Sequence, residues 1–292
     1  MRDFCQSSRR DSDIVVITGP TATGKTALAV ELARRFDGEI VSADSRQVYR
    51  GLDLGSGKDI AEYGEVPYHL IDVADPATEE YNLYRFCQDA YAAIGDISRR
   101  GKLPIICGGS ALYIAALVQK YRLPGGERDH AAPRQSRDLD LPADFPLPLK
   151  LNPLVIGVLY PRSEVRERIL RRLDARFAAG MIDEVKALLD SGVSREKLDY
   201  FGLEYREISR YLHGEVDFST LHRNLLNRIR QFAKRQDIFF RKMEREGVKI
   251  FWVERGNFDR CAQLVEIFRA GAELPPVEFQ LAEWKNPPSR DN

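Results

Sequence analysis

The chain has 292 residues, of which 43% are hydrophobic, and its 44 basic and 44 acidic residues give a net charge of zero. This length suits one large domain or one domain with an insertion. The balanced charge excludes a protein that binds nucleic acid through its overall charge, so any basic surface must be local. No run of 18 apolar residues occurs, and the polar segment 1–13 lacks the apolar core of a signal peptide. We therefore expect no membrane partner.

The four cysteines are scattered, and the four histidines have no metal-ligand spacing with them. Isolated cysteines of this kind are typical of small apolar residues in a reduced compartment. The sequence therefore predicts a cytoplasmic protein without a zinc site.

The sequence GPTATGKT at 19–26 matches the P-loop pattern G-x-x-x-x-G-K-[ST]. It follows a β-branched run at 14–17, a predicted strand, and precedes an apolar-periodic run at 27–33, a predicted helix. The loop amides and the helix amino terminus would surround phosphate oxygens, Lys25 would reach the outer phosphate, and the Thr26 hydroxyl would bind Mg²⁺. The predicted phosphate-binding residues are Gly19, Pro20, Thr21, Ala22, Thr23, Gly24, Lys25 and Thr26.

Strand and helix patterns alternate over the first 120 residues. Further strands are predicted at 39–43, 68–71 and 103–107, and helices at 82–100 and 111–120. Strands separated by helices predict an α/β fold built on a P-loop doubly wound parallel sheet.

The second half of the chain is predicted to be mostly helical. After a strand at 154–160, helical patterns cover 163–179, 181–190, 204–213 and 217–246, and a last strand covers 248–253. The predicted units are a first part of the P-loop core at 14–120, a short proline-rich segment at 121–153, the core completion with an RNA-binding helical segment at 154–255, and a C-terminal helix and tail at 256–292.

Two polar side chains follow predicted strands. Asp44 comes after the strand at 39–43, and Ser110 follows the strand at 103–107 and two glycines. The carboxyl ends of parallel strands form the binding site of open α/β sheets, so both side chains could face a substrate. The alternatives are that Asp44 only caps its turn and that Ser110 only caps the next helix. No candidate strand ends in a Walker-B Asp, which argues against steady nucleotide hydrolysis.

Arginines and lysines are concentrated on the predicted helix at 217–246, which also carries a buried apolar stripe. Such a helix is either a solvated basic face or a surface for a polyanion. Tyr205 and Arg206 precede it and could add stacking and phosphate contacts. On the helix at 163–179, Arg168 and Arg172 share one face, as phosphate clamps or as a solvent-facing row.

Taken together, these segments resemble the tRNA dimethylallyltransferase family of isopentenyl transferases. The matching segments are the P-loop, DSRQVYRG at 44–51, HLID at 69–72, GGSALY at 108–113, the stretch 168–185, RQFAKRQ at 230–236 and FFR at 239–241. The resemblance implies transfer of a dimethylallyl group from dimethylallyl diphosphate to N6 of an adenosine, typically position 37, next to the tRNA anticodon.

The resemblance also implies roles for single residues. Asp44 matches the catalytic Asp that accepts a proton or hydrogen bond from N6, Ser110 stands where the family usually has a catalytic Thr, and Arg172 matches an arginine of the diphosphate site. Mg²⁺ is the implied cofactor, and a monomer that binds the tRNA anticodon stem-loop is expected. The implied tRNA-binding residues are Ser45, Arg46, Gln47, Tyr205, Arg206, Arg230, Lys234, Arg235, Gln236 and Arg241.

Segment 121–153 is shorter than the helical insertion usual at this point of the family, and motifs of that insertion are missing from it. Because that insertion helps grip the anticodon stem-loop, prenylation of free adenine nucleotides stays open as a second function. A P-loop small-molecule kinase and a non-enzymatic RNA-binding protein with a vestigial P-loop also stay open.

Overall fold

One sheet organises the fold. The computed structural model describes residues 12–119 and 149–284. Its strands are β1 Ser12–Thr18, β2 Gly38–Ser42, β3 Tyr68–His69, β4 Leu103–Cys107, β5 Leu151–Leu159 and β6 Ile250–Glu254. They pair in the order β3-β2-β4-β1-β5-β6, and every pairing is parallel. The predicted α/β fold with a parallel P-loop sheet is therefore confirmed.

Helices connect and cover the strands. They are α1 Lys25–Phe36, α2 Leu83–Arg99, α3 Ala111–Val118, α4 Arg162–Ala178, α5 Met181–Asp190, α6 Arg195–Phe201, α7 Leu203–Leu212, α8 Phe218–Arg245 and α9 Phe258–Arg269. The sequence did not predict α6, which is only 7 residues long and begins after Ser194, whose hydroxyl accepts from Lys197 N–H. No helix in the described part of the chain is long and apolar enough to cross a membrane.

Both faces of the sheet are buried. Along β1, Ile14 and Val16 pack into one hydrophobic cluster, whereas Val15 and Ile17 pack into a second cluster. Side chains alternate between the two faces of a strand, and helices cover both, so the strand has no polar side. This is why the strands of the sequence are continuous apolar runs.

Several strand boundaries differ from the prediction, and two of the differences have a clear local cause. Strand β3 ends at His69 because Leu70 has a φ of +62°, outside the extended region. Strand β5 begins at Leu151, inside the segment predicted as a linker, and includes Pro153. The ladder to β6 begins only at Val155, so the proline lies where the strand is paired on one side. Residues 121–148 of the predicted proline-rich segment lie outside the described residues.

A buried carboxylate lies near the amino ends of the strands, away from the P-loop. Glu39 is 2% exposed and accepts hydrogen bonds at 2.8 Å from Arg100 Nη2 and from His69 Nε2. These bonds, above all those from Arg100, lower the pKa of Glu39 from 4.5 to about 2. Because the folded protein favours the ionised form, the cluster contributes stability above the unfolded pKa.

We expect Glu39→Gln to lower the free energy of unfolding by about 1–3 kcal/mol at pH 7. The difference from the parent protein should shrink as the pH falls from about 4.5 towards 2, because protonation of Glu39 then removes the same interaction. Urea unfolding of both proteins between pH 3 and pH 7 measures this. A difference that stays constant across that range would contradict the account.

Candidate active site

Three loops meet at the carboxyl ends of neighbouring strands. The P-loop follows β1, Asp44 follows β2, and the turn at 108–110 follows β4, which lies between them. The sheet order thus brings these loops together, as expected for an open α/β sheet. They surround a pocket whose lining includes Thr21, Lys25, Thr26, Asp44, Arg172 and Gln236.

The P-loop begins at a position that only glycine can occupy without strain. Gly19 has a φ of +140°, and a Cβ at this residue would lie 2.4 Å from the carbonyl oxygen of Val158 in β5. The chain therefore runs directly against the neighbouring strand before it turns. Gly24, with a φ of +78°, ends the loop, and α1 starts at the next residue.

We expect Gly19→Ala to lower the free energy of unfolding by more than about 2 kcal/mol, because the strained φ and the backbone overlap both oppose the native state. Gly247→Ala is the matched control. Its φ is +93°, but an added Cβ meets nothing within 4 Å among the described residues. The control should cost about 1 kcal/mol. Urea unfolding compares the two, and equal losses would contradict the importance of the close approach.

Three cations hold the P-loop. Lys25 Nζ donates to the Pro20 carbonyl oxygen at 2.8 Å, Arg168 Nε donates to the Ala22 carbonyl oxygen at 2.7 Å, and Arg172 donates to Thr21 Oγ1. Burial lowers the pKa of Lys25 to about 8 and that of Arg172 to about 10. The two arginines therefore clamp the loop and do not form a solvent-facing row.

Asp44 caps its turn and also lines the pocket, and its role towards a substrate stays a prediction. Its Oδ1 accepts the N–H of Arg46 at 3.0 Å, which caps the turn, and the same side chain lines the pocket. Ser110 does not cap α3 with its side chain. Its Oγ accepts the N–H of Ser45 at 3.0 Å, so the cap-only alternative for Ser110 is wrong. Ser110 instead fixes the turn that presents Asp44.

Some of the predicted RNA-binding residues of α8 are exposed, and one is buried. Lys234, Arg235 and Arg241 are exposed, and Arg230 is half-buried. Gln236 is 4% exposed: its Oε1 accepts the N–H of Thr21, and its Nε2 donates to the Gly109 carbonyl oxygen, both at 2.8 Å. Its amide therefore joins α8 to the P-loop inside the protein, and its contact with tRNA stays a prediction.

Tyr205 also differs from the prediction. Its ring is fully buried and its hydroxyl donates to Glu184 Oε1 at 3.1 Å, so it has no free face on which a base could stack. Arg206 is half-buried and donates to the Asp199 carbonyl oxygen at 2.9 Å. Burial raises the pKa of Tyr205 far above its usual value. Tyr205 is therefore a core residue.

Of the three residues after Asp44, Arg46 and Gln47 line the pocket. Arg46 lies 5.7 Å from the centre of the Phe232 ring of α8, in cation–π geometry. Gln47 Nε2 donates to the Gly57 carbonyl oxygen at 3.1 Å. Ser45 is held by Ser110. These contacts place Ser45, Arg46 and Gln47 beside the catalytic candidates, and their contact with tRNA stays a prediction.

Sequence reasoning missed Glu184 and Arg176, which shape the part of the pocket around Gly55 and Gly57. The Glu184 carboxylate accepts backbone N–H groups of Leu54 at 2.6 Å and Gly55 at 3.1 Å, which fixes the loop before Gly57. Arg176 also lines the pocket. Its spacing of four residues from Arg172 is the signal that would have found it.

Comparisons with known proteins decide the family. The IPP transferase family model matches residues 47–143 and 131–243, and the isopentenyl transferase model matches residues 12–65. The chain belongs to the IPP transferase family. The predicted resemblance is thereby confirmed, and membership places the chain among prenyl-transferring enzymes.

Relatives of this family resemble the chain over nearly their whole length. The chain is 42% identical to tRNA dimethylallyltransferase 1 of Geotalea uraniireducens, over 89% of this chain and 98% of the relative. It is 44% identical to the tRNA dimethylallyltransferase of Treponema pallidum, over 84% and 92%. The chain thus spans nearly the whole length of these relatives.

Solved structures agree with the assignment. The full-length tRNA isopentenylpyrophosphate transferase of Bacillus halodurans superimposes with a TM-score of 0.72 at 29% identity, over 89% of this chain and 96% of that one. A eukaryotic dimethylallyltransferase acting on tRNA gives a TM-score of 0.75 over 91% and 81%, and its 22% identity shows the shared fold.

Proposed function

We propose that this IPP transferase moves the dimethylallyl group of dimethylallyl diphosphate to N6 of the adenosine at position 37 of tRNA and releases diphosphate. The observation that carries the proposal is the pocket itself, which the Asp44 carboxylate lines together with Lys25 and Arg172. A base for the acceptor and a cradle for a phosphate leaving group would thus share one cavity. The names of the relatives support the same reaction.

The acceptor amine needs assistance because the exocyclic nitrogen of adenine is a poor nucleophile. Asp44 would accept a proton or hydrogen bond from N6 as positive charge develops there, and such assistance typically accelerates a reaction ~10²–10⁴-fold. The bond from Arg46 N–H leaves the second carboxylate oxygen available for this role. Ser110 would keep Asp44 in place through Ser45.

The donor side stabilises negative charge. As the allylic C1–O bond breaks, charge grows on the diphosphate, and Lys25, Arg172 and the loop amides at the amino end of α1 would stabilise it. Both cations already contact the P-loop. Preorganised donors of this kind are worth most in a water-poor pocket. Diphosphate then leaves with the charge that it gained.

We infer that a divalent cation, proposed to be Mg²⁺, binds in this pocket. Thr26 lines it together with Asp44, and within 12–119 and 149–284 no group of three or more His, Cys, Asp or Glu side chains capable of holding a metal occurs. Mg²⁺ is commonly held by few protein ligands together with substrate phosphates and water. Thr26 would be the protein ligand, and the ion would neutralise part of the diphosphate charge.

The RNA would approach along α8. Lys234, Arg235 and Arg241 are exposed on this helix, with Arg230 beside them, and can contact the phosphates of the anticodon stem-loop. Reaching N6 requires the base to leave its stack and enter the pocket. Since the protein has no net charge, this local surface would supply the electrostatic attraction.

One experiment separates the candidate reactions. The protein and Mg²⁺ are incubated with labelled dimethylallyl diphosphate and either tRNA or a mixture of AMP and ATP, and γ-labelled ATP serves as the kinase control. Label in tRNA is the expected result. Label only in free nucleotides would replace the proposal by nucleotide prenylation, and phosphate transfer from ATP would replace it by a kinase reaction.

A further inference from the structure

Two charged side chains of the pocket each have one buried polar atom without a hydrogen-bond partner, although Glu204 also lies in an ion pair with Arg46. Arg176 is 8% exposed and Glu204 is 6% exposed. Arg176 Nη2 and Glu204 Oε2 are buried and make no hydrogen bond to any residue of 12–119 or 149–284. Both side chains line the same pocket as Asp44 and Lys25. Buried charges are normally paired, so these two atoms are poised for a ligand.

The two side chains come from two different helices, α4 and α7. Arg176 is one helical turn beyond Arg172 on α4, and its guanidinium packs over Gly57, where an added Cβ would lie 2.1 Å from Nη2. Glu204 is in the first turn of α7. Arg46 Nη1 is 3.9 Å from Glu204 Oε2, too far for a hydrogen bond.

The chemistry of the pair selects among the parts of the two substrates. A dimethylallyl tail would leave both charges desolvated and unpaired, which is costly. A diphosphate would be attracted by Arg176 but repelled by Glu204. A nucleotide offers hydrogen-bond acceptors and donors side by side, which suits a guanidinium and a carboxylate together.

We propose that Arg176 and Glu204 form a subsite that binds the acceptor nucleotide of the RNA. Arg176 donates to a ring nitrogen or an oxygen of this nucleotide, and Glu204 accepts one of its N–H or O–H groups. This inference rests on the proposed function, because it assigns the acceptor side of that reaction. It adds a recognition element that is separate from Asp44, from the P-loop and from the basic surface of α8.

The test uses an anticodon stem-loop RNA with its target adenosine and the same RNA with an abasic target position. For Arg176→Met and for Glu204→Gln, the affinity for the intact RNA should fall roughly 10- to 100-fold, because hydrogen bonds to charged groups are lost. The affinity for the abasic RNA, and the KM for dimethylallyl diphosphate, should stay within about twofold of the parent values. Arg171→Met, at an exposed arginine of the same helix, is the matched control and should change none of the three.

Equal losses on both RNAs, a raised KM for the donor, or unchanged binding would each overturn the subsite. Thermal unfolding of every variant shows whether it folds. If Arg176→Met does not fold, the nearly isosteric Glu204→Gln still tests the subsite. Prenyl transfer by the parent protein tests the proposed function separately. If the parent does not modify the RNA while the variants lose only base-dependent binding, the reaction is refuted and the subsite stands.

Discussion

Replacing Asp44 by Asn is expected to lower kcat by roughly 10²–10⁴-fold, the usual range for loss of a general base. The substitution separates the two roles of this residue. The amide oxygen of Asn can still accept the N–H of Arg46, so the turn after β2 should persist. The negative charge that would take up a proton from N6 is lost. Single-turnover transfer of labelled prenyl group to tRNA measures the effect.

Donor binding should change little in this variant, because the P-loop and its cations are untouched. Asp190→Asn, at an exposed carboxylate at the end of α5, serves as the control and should retain parent activity. Near-parent turnover of Asp44→Asn in a folded protein would remove Asp44 from the reaction. Asp44 would then have only the structural role of capping the turn after β2.

Lys25→Met should reduce kcat/KM for dimethylallyl diphosphate by roughly 10²–10³-fold, comparable to the loss of one preorganised donor at a developing negative charge. Methionine keeps most of the side-chain volume, so the loop should fold. The substitution removes only the ammonium group, which lies next to the P-loop and donates to the Pro20 carbonyl oxygen. Steady-state kinetics with the donor as varied substrate measure the change.

The pH dependence gives a second check of Lys25. Burial lowers its pKa to about 8, so the free enzyme holds a positive Lys25 below that pH and loses it above. We expect kcat/KM for the donor to fall as the pH rises through about 8, and Lys25→Arg to shift this limb to higher pH. An alkaline limb that does not move in Lys25→Arg would assign it to another group.

The P-loop, the parallel sheet and the position of Asp44 could be predicted from the sequence because each depends on local patterns. Glycine spacing, β-branched runs and a polar residue directly after a strand are readable within about ten residues. The sheet order then brought Asp44 and the P-loop together without further information.

The differences from the prediction have another physical origin. Tyr205 and Gln236 lie in segments that resemble RNA-binding motifs, but their side chains turn inward and bond to Glu184 and to the P-loop. Which face of a helix is covered depends on the packing of distant segments, here α5 and the P-loop. The unpaired atoms of Arg176 and Glu204 could likewise be recognised only in three dimensions.

The two hydrogen bonds of Gln236 connect the two substrate-binding parts of the proposed active site. They join the helix that would carry the RNA to the loop that would carry the leaving group. If that junction persists, the distance between nucleophile and electrophile is set when the chain folds and not when a domain closes. Fidelity would then depend on how far a base can reach into a rigid cavity, and a nucleotide that cannot unstack that far would escape modification however tightly its stem is bound.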